Sequence, residues 1–484
     1  MRRIFLLFFL AISYAAVAQV GIGTTTPDSS SILDITSTTQ GILTPRMTTA
    51  QRLAISSPAQ GLLVYDTDEQ SYYFYDSQWH ELSSNNKRNN YKLVQSIDDL
   101  SEELVAGGGA VYLLNTNFLY EINGSIIFDY PISLNGAYIE GIDTGEDVLV
   151  NNSGSALFQG GTTGSIRNLT IAANSNPVFN ITATGSELLV INNTVIAGAS
   201  TVGTLSNIGT VFFSIVQYVG NTDGFAISDI TNLFMSNLFW TSSNGGTFAT
   251  LTGTFQNFQM ASGRIETDAG ETGIDLSANP TIVNEASLTG LSFVGAGTRI
   301  DGYTTGSYSG FNFTTDWDVQ SSGIPTENDD VATGDINFNF TAGGGAITTF
   351  ASNGTPVKLS GTTTSNNLFR FSSPMDNRIV YDGEERRFFE VSASVSFEGS
   401  VPGDRYIFYI AKGLNGSPTP TVVNETGAWE VVGNAAGTSS VRNISATPIV
   451  GTIDLEPGDY IEVWAERFSG TGQIFTVALN LTIK

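Results

Sequence analysis

Short apolar segments recur along the middle of this chain, and their spacing constrains the fold more than any other feature. Ile166–Ile171, Leu188–Ile191, Val211–Ile215, Leu233–Phe239 and Phe255–Met260 follow one another about every 20 to 24 residues. That interval suits one coil of three short strands and their turns. Asn168, Asn192, Asn207, Asn232, Asn237 and Asn257 recur beside these segments. Asparagine tolerates left-handed backbone and can stack on its own kind, so these positions are expected to mark turns or ladders. A β-sandwich with evenly spaced strands is the alternative. An amphipathic helix at Ser96–Val105, with Ile97, Leu100 and Leu104 on one face, and the run of segments without long loops favour stacked coils.

Composition agrees with a chain of strands and tight turns. Charged residues make up 14% of the 484 residues, and 52 are glycine. Apolar residues at 41% and aromatic residues at 11% are enough to fill cores, so disorder is a poor description. The net charge of -26 repels phosphate backbones and anionic lipid, which excludes nucleic acid as a partner. With 0 cysteines there is no disulfide and no thiolate zinc site.

The first residues read as an export signal. Arg2 and Arg3 precede an apolar stretch, Ile4–Ile12, and Ala16-Val17-Ala18 supplies small residues for cleavage between Ala18 and Gln19. That stretch is shorter than the roughly 20 apolar residues needed to span a bilayer, and no later segment reaches that length. A distinctive module follows: Val20-Gly-Ile-Gly-Thr-Thr-Thr-Pro27, Gly41-Ile-Leu-Thr-Pro-Arg-Met47, a short helix at Ala50–Ile55 capped by Thr48 or Thr49, and a hairpin around Glu69-Gln70 closed by Trp79. Its hairpin strands are Gly61-Leu-Leu-Val-Tyr-Asp-Thr-Asp68 and Ser71-Tyr-Tyr-Phe-Tyr-Asp76. These motifs resemble a segment found at the start of secreted Bacteroidota proteins and of tail-fibre-like proteins. The resemblance implies a surface or fibre context and no particular reaction. So small and weakly apolar a segment is expected to fold only against copies of itself or the next domain.

The rest divides by texture. Polar residues 84–90 form a linker. Helix and short strands beyond it resemble the entrance of a right-handed parallel β-helix, assigned to 91–300. Residues 301–365 read as its exit and a connector. From Asn366 strict alternation begins, with Phe389, Val391, Ala393, Val395 and Phe397 facing one way. Residues 366–484 resemble the jelly-roll heads of viral fibres and the C1q/tumour-necrosis-factor-like fold. The expected fold class is therefore all-β: a right-handed parallel β-helix followed by an antiparallel jelly-roll domain. The resemblance implies a homotrimer, here expected to be held chiefly through the head, where Phe388, Phe389, Tyr406, Phe408, Tyr409 and Trp464 exceed what one sandwich face needs.

Catalytic chemistry is thinly represented. The one histidine, His80, beside Trp79, cannot by itself supply a triad or a metalloprotease site. Ile142-Asp-Thr-Gly145 is half of an aspartic-protease motif without its second half. Glu266, Asp268, Glu271 and Asp275 cluster near Arg264 and form the alternative catalytic reading, a carboxylate pair for polysaccharide cleavage. Asp98-Asp99, Asp329-Asp330 and Glu384-Glu385 are candidate Ca2+ seats. Tyr303, Tyr308 and Trp317 lie among Gly, Ser, Thr and Asp and are expected to be exposed, where they can stack on sugar. Trp240 reads as core. The reading is an exported, extracellular or cell-surface adhesive or fibre-like protein without enzymatic activity, its partner a cell-surface glycan or envelope component.

Overall fold

In a computed structural model the structure describes residues 19–82, 89–341, 343–433 and 443–484. The leader at 1–18 and most of the linker at 84–90 lie outside the described residues. The chain forms two compact units, 1–89 and 90–484. Nearly all regular structure is β.

In the first unit, Val20–Ile22 pairs parallel with Leu33–Ile35. Arg46–Met47, Leu63–Asp66, Ser71–Asp76 and Gln78–Glu81 form a second sheet in that order. The expected helix is Thr49–Leu53, with Thr48 as its N-cap in a reciprocal capping box with Gln51. The hairpin turns at Gln70, which adopts φ 53°. At its centre is a polar contact, because the unit has little apolar interior. Arg52 Nε donates to Asp66 at 2.8 Å, and its guanidinium lies 3.7 Å from the centre of the Tyr73 ring. Burial raises the Asp66 carboxyl, but Arg52, Thr49 and the Glu69 and Asp68 amides outweigh it and hold the pKa at about 2.

The second unit contains the parallel β-solenoid that the repeats imply. Its nine-stranded sheet runs in strict chain order from Tyr112–Leu113 to Thr298–Asp301, and the other sheet joins thirteen strands. Parallel register stacks the coils: Leu188 over Thr210, Thr210 over Asn232, Asn232 over Asn257. The first coil is closed by a 3-10 turn, Ile97–Leu100, and a helix, Ser101–Ala106, with Leu100 buried and Ile97 and Leu104 against the core. The inward columns are apolar and aromatic, and Trp240 is fully buried against Tyr218 and Phe248.

Asparagine plays two parts. Asn168, Asn193, Asn237 and Ser262 hold φ between 47° and 61° at one corner of successive coils, where each long strand bends from one sheet face to the next. Asn192, Asn232 and Asn257 instead remain extended, and Asn257 Nδ2 donates to Asn232 Oδ1 at 2.7 Å. One residue breaks the corner pattern: Ile215, at φ 56°, stands between Asn193 and Asn237. A β-branched side chain is penalised there by about 1–2 kcal/mol. Because Ile215 is half exposed, little packing is lost on replacement. Ile215→Asn is expected to raise the urea midpoint by the equivalent of about 1 kcal/mol. An unchanged or lower midpoint would show that the corner is not strained.

Two boundaries differ from the sequence reading. The solenoid does not end near residue 300, since Trp317–Ser322 adds to the strand Thr281–Gly295. The antiparallel sandwich begins at Gly334, not Asn366. Strands Gly334–Asn339 and Ala346–Thr348 pair with Ile474–Ile483, and Pro356–Lys358 pairs with Tyr460–Ser469. These short strands look like connector because their partners lie more than a hundred residues downstream. The sandwich stacks a five-stranded sheet on a seven-stranded one. Phe389, Val391, Ala393, Val395 and Phe397 face its interior as the alternation requires. Phe389, Tyr406 and Phe408 are also inside, so they are core and not surplus surface for association.

Candidate functional site

The aromatic residues expected at the surface instead build the joint between solenoid and sandwich. Trp317 caps the solenoid core, 1% exposed, with its ring 5.0 Å from both Phe258 and Phe313. Tyr303 is buried; its hydroxyl donates to Pro280 O at 2.7 Å and accepts from Trp317 Nε1 at 3.1 Å. Tyr308 is half-buried against Phe369, and its hydroxyl reaches Asp382 at 3.4 Å. The expectation of exposed stacking rings is thereby corrected for Trp317 and Tyr303. Flanking Gly, Ser and Thr residues serve the turns, while the rings cover the open end of a core.

Arg370 fastens the sandwich to that end. It is 2% exposed, at φ 59°, and its guanidinium donates to Thr315 O and to Trp317 O. Its Nε lies 3.5 Å from Asp329. Asp329 Oδ2 accepts from Tyr381 Oη at 2.9 Å and from the Glu384 and Glu385 amides at 2.8 and 2.9 Å. Beneath them Glu327, 1% exposed, accepts from the amides of Asn312 and Phe313. Burial pushes the Glu327 carboxyl above its ordinary range, against those donors and Arg370. A cleft of about 510 Å³ opens beside this joint, and both Asp329-Asp330 and Glu384-Glu385 line it. The structure thus brings together two of the pairs named as calcium seats. However, Asp329 is spent on the joint and Asp330 pairs with Arg387. Among the described residues no three acidic or histidine groups converge on a point that could hold a metal. Asp99 accepts the Gln95 and Ser96 amides, capping the 3-10 turn.

The acidic run near Arg264 is split between two strands and the turn that joins them: Glu266 lies in Thr254–Thr267, Asp275 in Thr272–Asp275, and Asp268 and Glu271 between. Glu266 pairs with Arg264 at 3.3 Å, Glu271 accepts the Asp268 amide at 2.6 Å, and Asp275 accepts Ser277 Oγ at 2.7 Å. Each contact is local, between residues two or three apart. His80 stacks on Phe74.

The second notable surface belongs to the first unit. Among its described residues Val64 is the one buried hydrophobic side chain. Ile32 is 78% exposed, Leu43 74%, and Ile22, Leu33, Ile42 and Leu53 are exposed too. With Val20, Leu63 and Leu82 added, nine large aliphatic side chains of this unit stand exposed against one that is buried, which is more apolar surface than so small a fold covers by itself.

Comparison with known proteins places a specific region there. The family described as "Phage tail like trimerisation region" matches residues 21–94. Among solved structures, a tailspike protein 4 enzymatically active domain of bacteriophage CBA120 is similar at 10% identity, over 91% of this chain and 77% of that one, with TM-score 0.21. ORF18 of Geobacillus virus E2 is similar at 11% identity, over 85% and 89%, with TM-score 0.25. Eiger TNF from S. frugiperda is similar at 9% identity, over 32% and 92%, with TM-score 0.22. No curated protein matches the chain. Among the described residues no helix is long and apolar enough to cross a membrane.

Proposed function

We propose that this chain is the protomer of an exported, fibre-like homotrimer that displays a solenoid shaft and a jelly-roll head to bind a cell-surface glycan or envelope component, without enzymatic activity of its own. The observation that carries the reading is the exposed aliphatic side chains of the first unit, on a stretch that matches a trimerisation region. Three copies meeting through these side chains bury what one copy cannot. The region lies at the start of the chain, so trimer contacts are assigned there and not chiefly to the head. Export rests on the leader, and kinship with secreted Bacteroidota proteins rests on the GIGTTTP module. The non-enzymatic part is supported by the local contacts that engage the Glu266, Glu271 and Asp275 carboxylates.

Light scattering of the protein starting at Gln19 is expected to give about three protomers at micromolar concentration. In the double variant Ile32→Asp/Leu43→Asp the mass is expected to fall toward one protomer while the solenoid and head keep their circular dichroism. A wild-type monomer would end the fibre reading.

A further inference from the structure

The outer face of the seven-stranded head sheet carries an exposed pair of aromatic rings outside the sandwich core. Trp429 is 58% exposed and Phe468 47%, and their rings meet edge to face with centroids 4.8 Å apart. Both lie in regular strands, Ala428–Val431 and Tyr460–Ser469, so the pair is held in place by ladders on either side of Arg405–Gly413. Cross-strand register sets the row: Trp429 opposite Ile407, and Ile407 opposite Glu466. Residues opposite one another share a face of the sheet, so the Glu466 carboxylate shares the ring face.

The two carboxylates of this strand are used very differently. Glu462 is buried and saturated, with Lys358 Nζ, Arg378 and Trp464 Nε1 each 2.7 Å away. Glu466 is half-buried and, among the described residues, has one side-chain partner, the Tyr409 hydroxyl at 3.3 Å. A paired aromatic surface beside a carboxylate with spare acceptor capacity has the make-up of a sugar subsite. A pyranose offers one face of C–H groups to a ring and hydroxyl donors at its edge.

We propose that this face binds neutral pyranose chains, with Trp429 and Phe468 as the stacking platform and Glu466 as acceptor for a sugar hydroxyl. The inference rests on the reading of the protein as a surface binder and names the subsite and the ligand class. Charge selects the class: Glu466 stands on the platform face, and a chain of net charge -26 repels uronate polymers. Arg405, opposite Val431 at the rim, is the residue through which an acidic sugar would bind instead. A second copy of the head is a poorer occupant, since two rings fall well short of the roughly 1,000 Å² a stable protein contact buries.

The test is affinity electrophoresis of the full-length mature protein in gels containing dextran, xyloglucan, soluble hydroxyethyl cellulose or, as acidic counterparts, alginate and polygalacturonate. At least one neutral polymer is expected to retard the wild type. Trp429→Ala is expected to weaken that retardation about tenfold or more, Phe468→Ala less, and Glu466→Gln severalfold, as for an aromatic anchor and its flanking polar contact. Light scattering of each variant should still report the wild-type mass. Four results would overturn the proposal: no retardation by any neutral polymer, retention undiminished in Trp429→Ala, binding confined to the acidic polymers and lost in Arg405→Ala, or a Trp429→Ala variant that changes oligomeric state. A wild-type trimer with undiminished sugar binding in Trp429→Ala would sink the head platform alone and leave the fibre reading standing.

Discussion

Arg370→Met is expected to destabilise the junction of shaft and head by about 3–5 kcal/mol, the cost of removing one member of a buried charge pair. The guanidinium is surrounded: carbonyls of Thr315 and Trp317 on one side, Asp329 on the other. Its loss leaves the Thr315 and Trp317 carbonyls without this donor and removes the positive charge beside Asp329. Arg370→Lys should recover little, because a single ammonium cannot reproduce a planar fork that reaches both carbonyls. Backbone conformation offers an internal control. Arg370 sits at φ 59°, where glycine is at ease. Arg370→Gly is therefore expected to be less harmful than Arg370→Met by about 1 kcal/mol, although both lose the same contacts.

Acidity gives the junction a second readout. Burial raises the Glu327 carboxyl in the folded protein, and Arg370 draws it back down. A carboxyl whose folded pKa exceeds its unfolded value stabilises below the unfolded pKa, and that contribution is lost as pH rises through the folded one. Without the guanidinium the folded value climbs further, so the deficit of Arg370→Met should be larger near pH 7 than near about pH 5. Calorimetry of the head transition at the two pH values, with limited proteolysis between 303 and 333, measures both effects. A variant that melts within about 0.5 kcal/mol of wild type at pH 7 would show that Arg370 is not the fastening.

The parts of this architecture carried by local periodicity could be read directly. Coil spacing, the capping turn at Ile97–Leu100 and the inward alternation of Phe389 to Phe397 all involve residues within one strand or turn. What failed was set by partners far along the chain. Trp317 has polar neighbours in sequence and aromatic neighbours in space, Phe258 from an earlier coil among them. Gly334–Asn339 could be recognised as a strand of the head only through Ile474–Ile483. Alternation also sorts residues into two faces without saying which is interior, so Tyr406 and Phe408 were assigned to an interface they do not reach. Of the candidate sites, the acidic pairs were visible as charge, but their use as caps and fastenings depends on amide geometry that charge does not encode. The Trp429–Phe468 pair had a faint signal, since Trp429 and Val431 alternate with Ala428 and Glu430 in a short segment; its partner strand was needed to give it meaning.

Gly203→Ala is expected to break the shaft in its middle, at a cost of about 3 kcal/mol or more. The residue opens the strand Gly203–Ser206, and register places it between Phe179 and Phe225 in the nine-stranded sheet. Phe158 and Phe179 stack with centroids 5.6 Å apart, and Phe179 reaches across the glycine to Phe225 at 6.5 Å. A side chain at 203 meets two obstacles at once. The backbone is at φ +122°, and a Cβ would stand 2.1 Å from the carbonyl oxygen of Phe179. That oxygen belongs to a neighbouring coil and cannot swing away as a side-chain tip would. Gly198 supplies the comparison, at φ +65° with nothing within 4 Å of its would-be Cβ, so Gly198→Ala should cost only about 1 kcal/mol, from backbone strain alone. Because each coil touches mainly its neighbours, the damage in Gly203→Ala should stay local. Hydrogen exchange is expected to rise sharply at the amides of Val202 and Gly203, which bond Asp223 O and Gly224 O. It should rise little at the ends of the shaft, near Tyr112–Leu113 and Thr298–Asp301. Equal stability of the two variants would mean that the close approach at Gly203 relaxes freely, and that the coils are looser than their packing implies.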